Sequence, residues 1–301
     1  MTSAGTRALA RRYTGTQVHR YTLGLVGHPL GHSLSPKIHA AALKACELEG
    51  EYSLYPVAPD NLVGLKNLLA SVRSGDIHGL NVTIPHKQNV IPLLDELTPT
   101  AQAVGAVNSI YLRDGKLLGD NTDAAGFLAD LRKFLTTETL RLGSGQARGH
   151  GESQALVLGA GGSARAVVYA LVNDGWQVTI AARRKEQAQQ LAASFPNYQL
   201  QITNHPFILH PSAFILIANA TPLGMSPNAE RSPWPENLSF PRHGAVYDLV
   251  YNPRETRLVR EARAAGLPAA TGLGMLVEQA ALAFEVWTGR SPSRDTLFAA
   301  L

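Results

Sequence analysis

The strongest constraint on the fold lies at residues 155–166, ALVLGAGGSARA. The apolar run from Ala155 to Leu158 reads as a buried parallel strand. It stops at a glycine turn, and a helix is expected from Ala164 to Asn173. Gly159, Gly161 and Ala164 keep the G-x-G-x-x-[GA] spacing. Gly159 permits the tight turn. Gly161 lacks a Cβ, so a pyrophosphate can approach the backbone. Ala164 allows close helix–strand packing. The helix start offers free N–H groups and the positive dipole end to an anion. A second strand, Gln177 to Ala182, ends about 20 residues past the glycines, as a βαβ nucleotide unit requires.

The end of that second strand bears on the choice of dinucleotide. An NAD site places Asp or Glu there, on the ribose 2′-hydroxyl. This chain has Ala182, Arg183, Arg184 and Lys185 instead. No carboxylate repels a 2′-phosphate, and two guanidinium groups are available to bind one. NADP(H) is the expected cofactor.

The chain has 301 residues, 45% hydrophobic and 17% charged, enough for about two domains with real cores. Net charge is +4, and the basic residues are scattered apart from 183–185, which argues against nucleic acid as a partner. One cysteine, Cys46, excludes an intrachain disulfide and fits a cytoplasmic setting. No apolar run approaches the ~20 residues of a membrane span. Residues 1–20 hold Arg7, Arg11, Arg12 and Arg20 and no acid. They read as a flexible basic tail, with an organelle transit peptide as the alternative.

Along the chain, Thr22 to Val26 is an expected strand, followed by GHPLGHSLSPKIH at 27–39. Ser35 and Pro36 predict a helix start, with Ser35 at N-cap and the helix running to about Glu47. Ser33 is not needed for that cap, so it is the more suggestive anion contact. Glu51 to Val57 alternates like a strand, and Asn61 to Val72 reads as a helix. His78 to Lys87 is an expected strand ended by Pro85; Asn81 and Thr83 share one side, and Lys87 follows the end. Ala103 to Leu112 and Lys116 to Gly119 flank Asp114-Gly115, a hairpin signal. Asp123 opens a helix through Leu135. Residues 136–153 are polar and glycine-rich and read as a mobile connection. Strands follow at Ala213 to Ala218 and Ala245 to Tyr251, with helices at Thr256 to Ala265 and Met275 to Thr288. No repeat and no metal-ligand spacing is present, and the dispersed histidines read as core or surface residues.

Taken together, these stretches resemble the shikimate/quinate dehydrogenase family, the shikimate dehydrogenases above all. The signatures are G-x-P-x-x-H-S-x-S-P-x-I-H at 27–39, NVTIPHK at 81–87, GAVNS at 105–109 and G-x-N-T-D at 119–123. NATPLGM at 219–225, YDLVYNP at 247–253 and G-L-G-M-L-V-x-Q-A at 272–280 complete them, in family order.

The resemblance implies a two-domain α/β fold. A Rossmann-type doubly wound dinucleotide domain at 124–271 would be inserted in a discontinuous α/β substrate domain at 21–123 and 272–301. It implies reversible reduction of 3-dehydroshikimate to shikimate with NADPH, in chorismate and aromatic amino-acid biosynthesis, by a monomer or homodimer. Lys87 and Asp123 are then the catalytic pair. Ser33 and Ser35 hold the substrate carboxylate. Asn81, Thr83, Asn108 and Gln279 hold ring hydroxyls or the carboxylate, with Tyr251 a neighbour. Gly159, Ala160, Gly161, Gly162, Ser163 and Ala164 form the cofactor loop, joined by Ala182, Arg183, Arg184, Thr221 and Gly272. One departure stands out: the family's common Asn-Arg-Thr after the second nucleotide-domain strand is here Ala182, Arg183 and Arg184.

Physics supplies a reason for the pair. Hydride addition to a ketone leaves an alkoxide, which a lysine ammonium can stabilise and protonate while an aspartate orients it. Three rival readings exist. An NAD-using quinate/shikimate dehydrogenase, or a paralogue acting on another polyol, is the nearest. A non-catalytic NADP sensor would have no use for Lys87 and Asp123. A thioester-forming reductase needs a reactive cysteine, and Cys46, among alanines on an expected helix, is poorly suited.

Overall fold

The computed structural model describes residues 20–142, 153–204 and 211–301. The expected basic tail, save Arg20, and residues 143–152 of the expected connection lie outside the described residues.

The first half builds a mixed sheet from β1 (Tyr21–Gly27), β2 (Gly50–Pro56), β3 (Gly79–Val82), β4 (Glu96–Leu97), β5 (Ser109–Arg113) and β6 (Lys116–Asp120), in the order β2-β1-β3-β5-β6-β4. The pairs β2/β1, β1/β3 and β4/β6 are parallel, whereas β3/β5 and β5/β6 are antiparallel. Helices α1 (Ser35–Ala45), α2 (Leu62–Arg73) and α3 (Pro99–Val104) connect these strands. The expected hairpin is present, with positive φ at both Asp114 (51°) and Gly115 (75°), as a type I′ turn needs.

Helix α4 (Asp123–Leu142) leads to the second sheet. Its elements are β7 (Gln154–Leu158), α5 (Gly162–Asn173), β8 (Gln177–Ala182), α6 (Lys185–Ala193), β9 (Gln201–Asn204), β10 (Leu216–Asn219), β11 (Ala245–Asp248), α7 (Arg257–Ala264) and β12 (Ala269–Thr271). All its pairs are parallel, in the order β9-β8-β7-β10-β11-β12. That is the doubly wound 3-2-1-4-5-6 order, whose ligand crevice opens where β7 meets β10. Burial on both faces explains why β7 reads as an unbroken apolar run: Ala155, Leu156, Val157 and Leu158 are all 0% exposed. The chain then returns through α8 (Leu273–Thr288) and α9 (Arg294–Ala299). Helices α4 and α8 pack together, and Lys133 donates to buried Glu278 at 2.5 Å across their contact.

Several expected boundaries are corrected. Helix α4 runs to Leu142, past the expected end at Leu135, so part of the presumed connection is helical. The strand expected over His78 to Lys87 stops at Val82, because residues 84–90 turn. Of the segment expected as a strand from Ala103 to Leu112, the first part closes α3 through Gly105 in the left-handed region. Helices α5 and α8 each begin two residues early, at Gly162 and Leu273. The cap expected at Ser35 is also corrected. Ser35 lies inside α1, Leu34 occupies N-cap without a side-chain bond, and the Ser33 hydroxyl accepts the Ser35 N–H at 3.2 Å.

Candidate active site

Lys87 and Asp123 meet where the first sheet faces the glycine loop. Lys87 lies in the turn after β3, and its carbonyl accepts Val107 N–H at 2.8 Å, which fixes the backbone beneath it. Asp123 is the first residue of α4. The capping task there falls to Asn121, whose Oδ1 accepts Ala124 N–H at 3.2 Å. Asp123 is thereby left to Lys87: Nζ donates to Oδ2 at 2.5 Å. Both residues are buried, 9% and 4% exposed, so each charge is compensated mainly by the other.

Asn108 completes the group. Its Nδ2 lies 2.9 Å from Asp123 Oδ1, 2.9 Å from Thr122 Oγ1 and 3.3 Å from Gln279 Oε1. Its Oδ1 accepts Thr122 N–H at 2.8 Å, and the Thr122 hydroxyl donates to the Gln279 carbonyl at 3.0 Å. Gln279 on α8 is thus tied to the start of α4. Asn81 donates to the Asn108 carbonyl at 3.1 Å and accepts the Tyr52 hydroxyl at 2.8 Å. Thr83 is half-buried beyond β3. Ser35 is buried and Ser33 half-buried at the start of α1. Tyr251 packs against the core between α1 and α8 and acts electrostatically on Tyr52.

The second sheet brings its own set to the same region. Gly159 follows β7 with φ 108°, the conformation that a side chain resists, and its N–H bonds Ala181 O at 2.8 Å. A Cβ on Gly159 would lie 3.1 Å from Thr221 Cγ2, which places Thr221 across the β7/β10 crevice. A Cβ on Gly161 would meet nothing within 4 Å, leaving open space above the backbone. The N-terminus of α5 has no side-chain cap, so its N–H groups are available to a ligand. Ala160 and Ala164 line the loop and its packing face, and Ala164 is fully buried. Arg183 and Arg184 are exposed just past β8, whose end runs beside that of β7. Gly272 caps α8 against the backbone of Leu249. An open glycine cradle, an uncapped helix start and neighbouring guanidinium groups are a donor set that fits a phosphorylated dinucleotide.

The two sets touch. Ser163 Oγ lies 3.5 Å from Lys87 Nζ, and a Cβ on Gly162 would lie 3.0 Å from Lys87 Cβ. Gly162 is therefore small because of Lys87, whereas Gly161 is small where a ligand would sit. Sequence reading missed Tyr52 and Thr122 as supporting residues. Thr122 stands inside the G-x-N-T-D motif, which could have flagged it; Tyr52 carries no local signal.

Beyond the nucleotide crevice, Asn219 on β10 and Asp248 on β11 form a buried polar node. Asp248 accepts Asn219 Nδ2 at 2.8 Å, the Thr256 hydroxyl at 2.6 Å and Val250 N–H at 3.1 Å. Asn219 Oδ1 in turn accepts the Thr221 hydroxyl at 2.7 Å and N–H at 2.9 Å. Burial raises the Asp248 carboxyl from 3.8 to about 6, against the lowering effect of these donors.

Known proteins resemble this chain over most of its length. Residues 25–110 match the shikimate dehydrogenase substrate binding domain, 142–232 match shikimate / quinate 5-dehydrogenase, and 272–297 match the shikimate 5'-dehydrogenase C-terminal domain. Shikimate dehydrogenase (NADP(+)) of Salinibacter ruber is 44% identical over 285 residues, covering 92% of this chain and 95% of the relative. A shikimate dehydrogenase crystallised with NADP+ superposes with a TM-score of 0.81 at 36% identity, covering 93% of this chain and 94% of that one. The Thermus thermophilus enzyme, in complex with NADP(H) and shikimate, gives 0.76 at 39% identity, covering 93% and 98%. With these relatives matched over most of its length, the chain belongs to the shikimate dehydrogenase family.

Proposed function

We propose that the chain reduces 3-dehydroshikimate to shikimate reversibly with NADPH, a step of chorismate and aromatic amino-acid biosynthesis. The observation that carries the reading is the buried Lys87–Asp123 contact at 2.5 Å beside the open glycine loop. NADPH, when bound, supplies the hydride. Lys87 then faces the charge that develops on the carbonyl oxygen, donates a proton to it, and takes that proton back in the oxidative direction. Asp123 keeps Lys87 aimed, and Asn108 holds Asp123 through its second oxygen.

Ser33 and Ser35, at the start of α1, take the substrate carboxylate. Asn81, Thr83, Asn108 and Gln279 take ring hydroxyls or the carboxylate, with Tyr251 beside them. Residues 159–164 with Ala182, Thr221 and Gly272 hold the dinucleotide, and Arg183 and Arg184 hold its 2′-phosphate. This assignment divides the chain into a substrate domain, 21–123 and 272–301, and a dinucleotide domain, 124–271. We read the protein as a cytoplasmic monomer or homodimer acting on a small acid. Among the described residues no helix is long and apolar enough to cross a membrane.

Absorbance of the reduced nicotinamide tests the reading, with shikimate or quinate offered against NADP or NAD. Shikimate with NADP should give the highest kcat/KM. Quinate adds a hydroxyl beside the carboxylate site and should lose about 5- to 150-fold, the weight of one unaccommodated polar group. A quinate preference, or equal values, would overturn the substrate choice. No turnover with any pair would overturn the dehydrogenase reading itself.

A further inference from the structure

The outer strand β2 carries a tyrosine that no part of the mechanism above uses. Tyr52 pairs in register with Leu23 of β1, and Leu25 of β1 pairs with Asn81 of β3. Register of this kind puts Tyr52 and Asn81 on the same face of the sheet, one strand apart. The Tyr52 phenol reaches across β1 and donates to Asn81 Oδ1 at 2.8 Å.

The other end of the amide is also fixed. Asn81 Nδ2 donates to the Asn108 carbonyl at 3.1 Å, and only an N–H can face a carbonyl. The two contacts select one of the two amide orientations. The Ser35 hydroxyl interacts with the same phenol, so Tyr52 links the residue placed at the carboxylate to the one placed at a ring hydroxyl.

Behind Tyr52 lies His39, fully buried, with ring centroids 4.2 Å apart and planes 3° from parallel. Trp287 stacks on the same imidazole at 5.4 Å. Neither ring nitrogen of His39 has a hydrogen-bond partner of good geometry. Burial holds its pKa down at about 3, although the nearby Asn81 side chain opposes the shift. A neutral imidazole here is a flat surface for the tyrosine ring and leaves the phenol as the polar end of the stack.

We propose that Tyr52 is a positioning residue for substrate recognition: resting on His39, it fixes the orientation of the Asn81 amide and so the hydrogen-bonding face that Asn81 presents to a substrate ring hydroxyl. The proposal rests on the assignment of Asn81 to shikimate, which a raised shikimate KM in Asn81→Ala tests first.

Tyr52→Phe keeps the ring and its stack and removes only the hydroxyl. With NADP as oxidant, its KM for shikimate should rise about 5- to 10-fold, the weight of one neutral hydrogen bond at a binding site. Its KM for NADP should stay within about two-fold, which also reports an intact fold. On an Asn81→Ala background the same substitution should change the shikimate KM by less than about two-fold, since the amide it orients is gone. An unchanged shikimate KM in Tyr52→Phe, an equal rise in both KM values, or full additivity with Asn81→Ala would each overturn the role while leaving the dehydrogenase reading intact. A wild-type protein inactive on shikimate would overturn both.

Discussion

Asn108 Nδ2 and Gln279 Oε1 lie 3.3 Å apart, although 171 residues separate them in the chain. The contact joins the loop before β5 to the middle of α8. The whole second sheet lies between them in sequence. The residues around Lys87 are thus assembled by the return of the chain, and Gln279→Ala would loosen Asn108 as well as remove the substrate contact proposed for it.

Lys87→Ala should lower kcat by about 10²- to 10⁴-fold, the usual weight of a general acid–base group, with a smaller rise in the shikimate KM. Removing the lysine also leaves Asp123 as a buried carboxylate without its cation, which destabilises by about 3–5 kcal/mol. Initial rates and urea unfolding should be measured together. A near-normal kcat in the folded variant would remove Lys87 from the chemistry.

Arg183→Ala should raise the KM for NADP and leave NAD use little changed, because only NADP carries the 2′-phosphate. The exposed guanidinium makes a structural loss small. Equal losses with both cofactors would mean that Arg183 serves the pyrophosphate or the fold.

Ser33→Ala has two expected effects, because its hydroxyl accepts the Ser35 N–H at 3.2 Å. Shikimate binding should weaken by about 1.5–3 kcal/mol through loss of a hydrogen bond to a charged group. Thermal stability should fall as well, by about 0.5–2 kcal/mol, as when a helix cap is lost. Ser33→Thr keeps the hydroxyl and should restore much of both. A variant with unaltered KM would place the carboxylate elsewhere.

The carboxyl of Asp248 should leave a signature in stability against pH. Its folded pKa of about 6 lies above the ordinary 3.8, so the native state holds its proton more tightly than the unfolded chain does. The resulting stability is fully present below pH 3.8 and is lost as pH rises through 6. Between those limits it amounts to on the order of 3 kcal/mol. Asp248→Asn lacks this titration, so the stability difference between wild type and variant should change across that window and stay flat above about pH 7. Parallel profiles in urea unfolding would show that Asp248 titrates normally.

Much of this was legible in the sequence because its causes are local. The β7 run, the Gly159 turn and the arginines after β8 each follow from a neighbour or two along the chain. Asp114-Gly115 announced its hairpin for the same reason. The misreading at the start of α1 came from a side chain only two residues away. Ser35 looked like a cap, yet Ser33 takes its N–H and leaves Ser35 buried inside the helix. Tyr52 was invisible because its meaning depends on a sheet order, β2-β1-β3, that no local pattern encodes.

Gly162 gives the glycine loop a second reader. A side chain there would press on Lys87 at 3.0 Å, so the glycine loop and the stem of the lysine share one steric boundary. Two ligands that bear on the two sides of such a boundary are thermodynamically linked. Whatever factor a dinucleotide imposes on the affinity for the acid, the acid must impose on the affinity for the dinucleotide. A Gly162→Ala variant should therefore alter the coupling between the two ligands as well as their separate affinities.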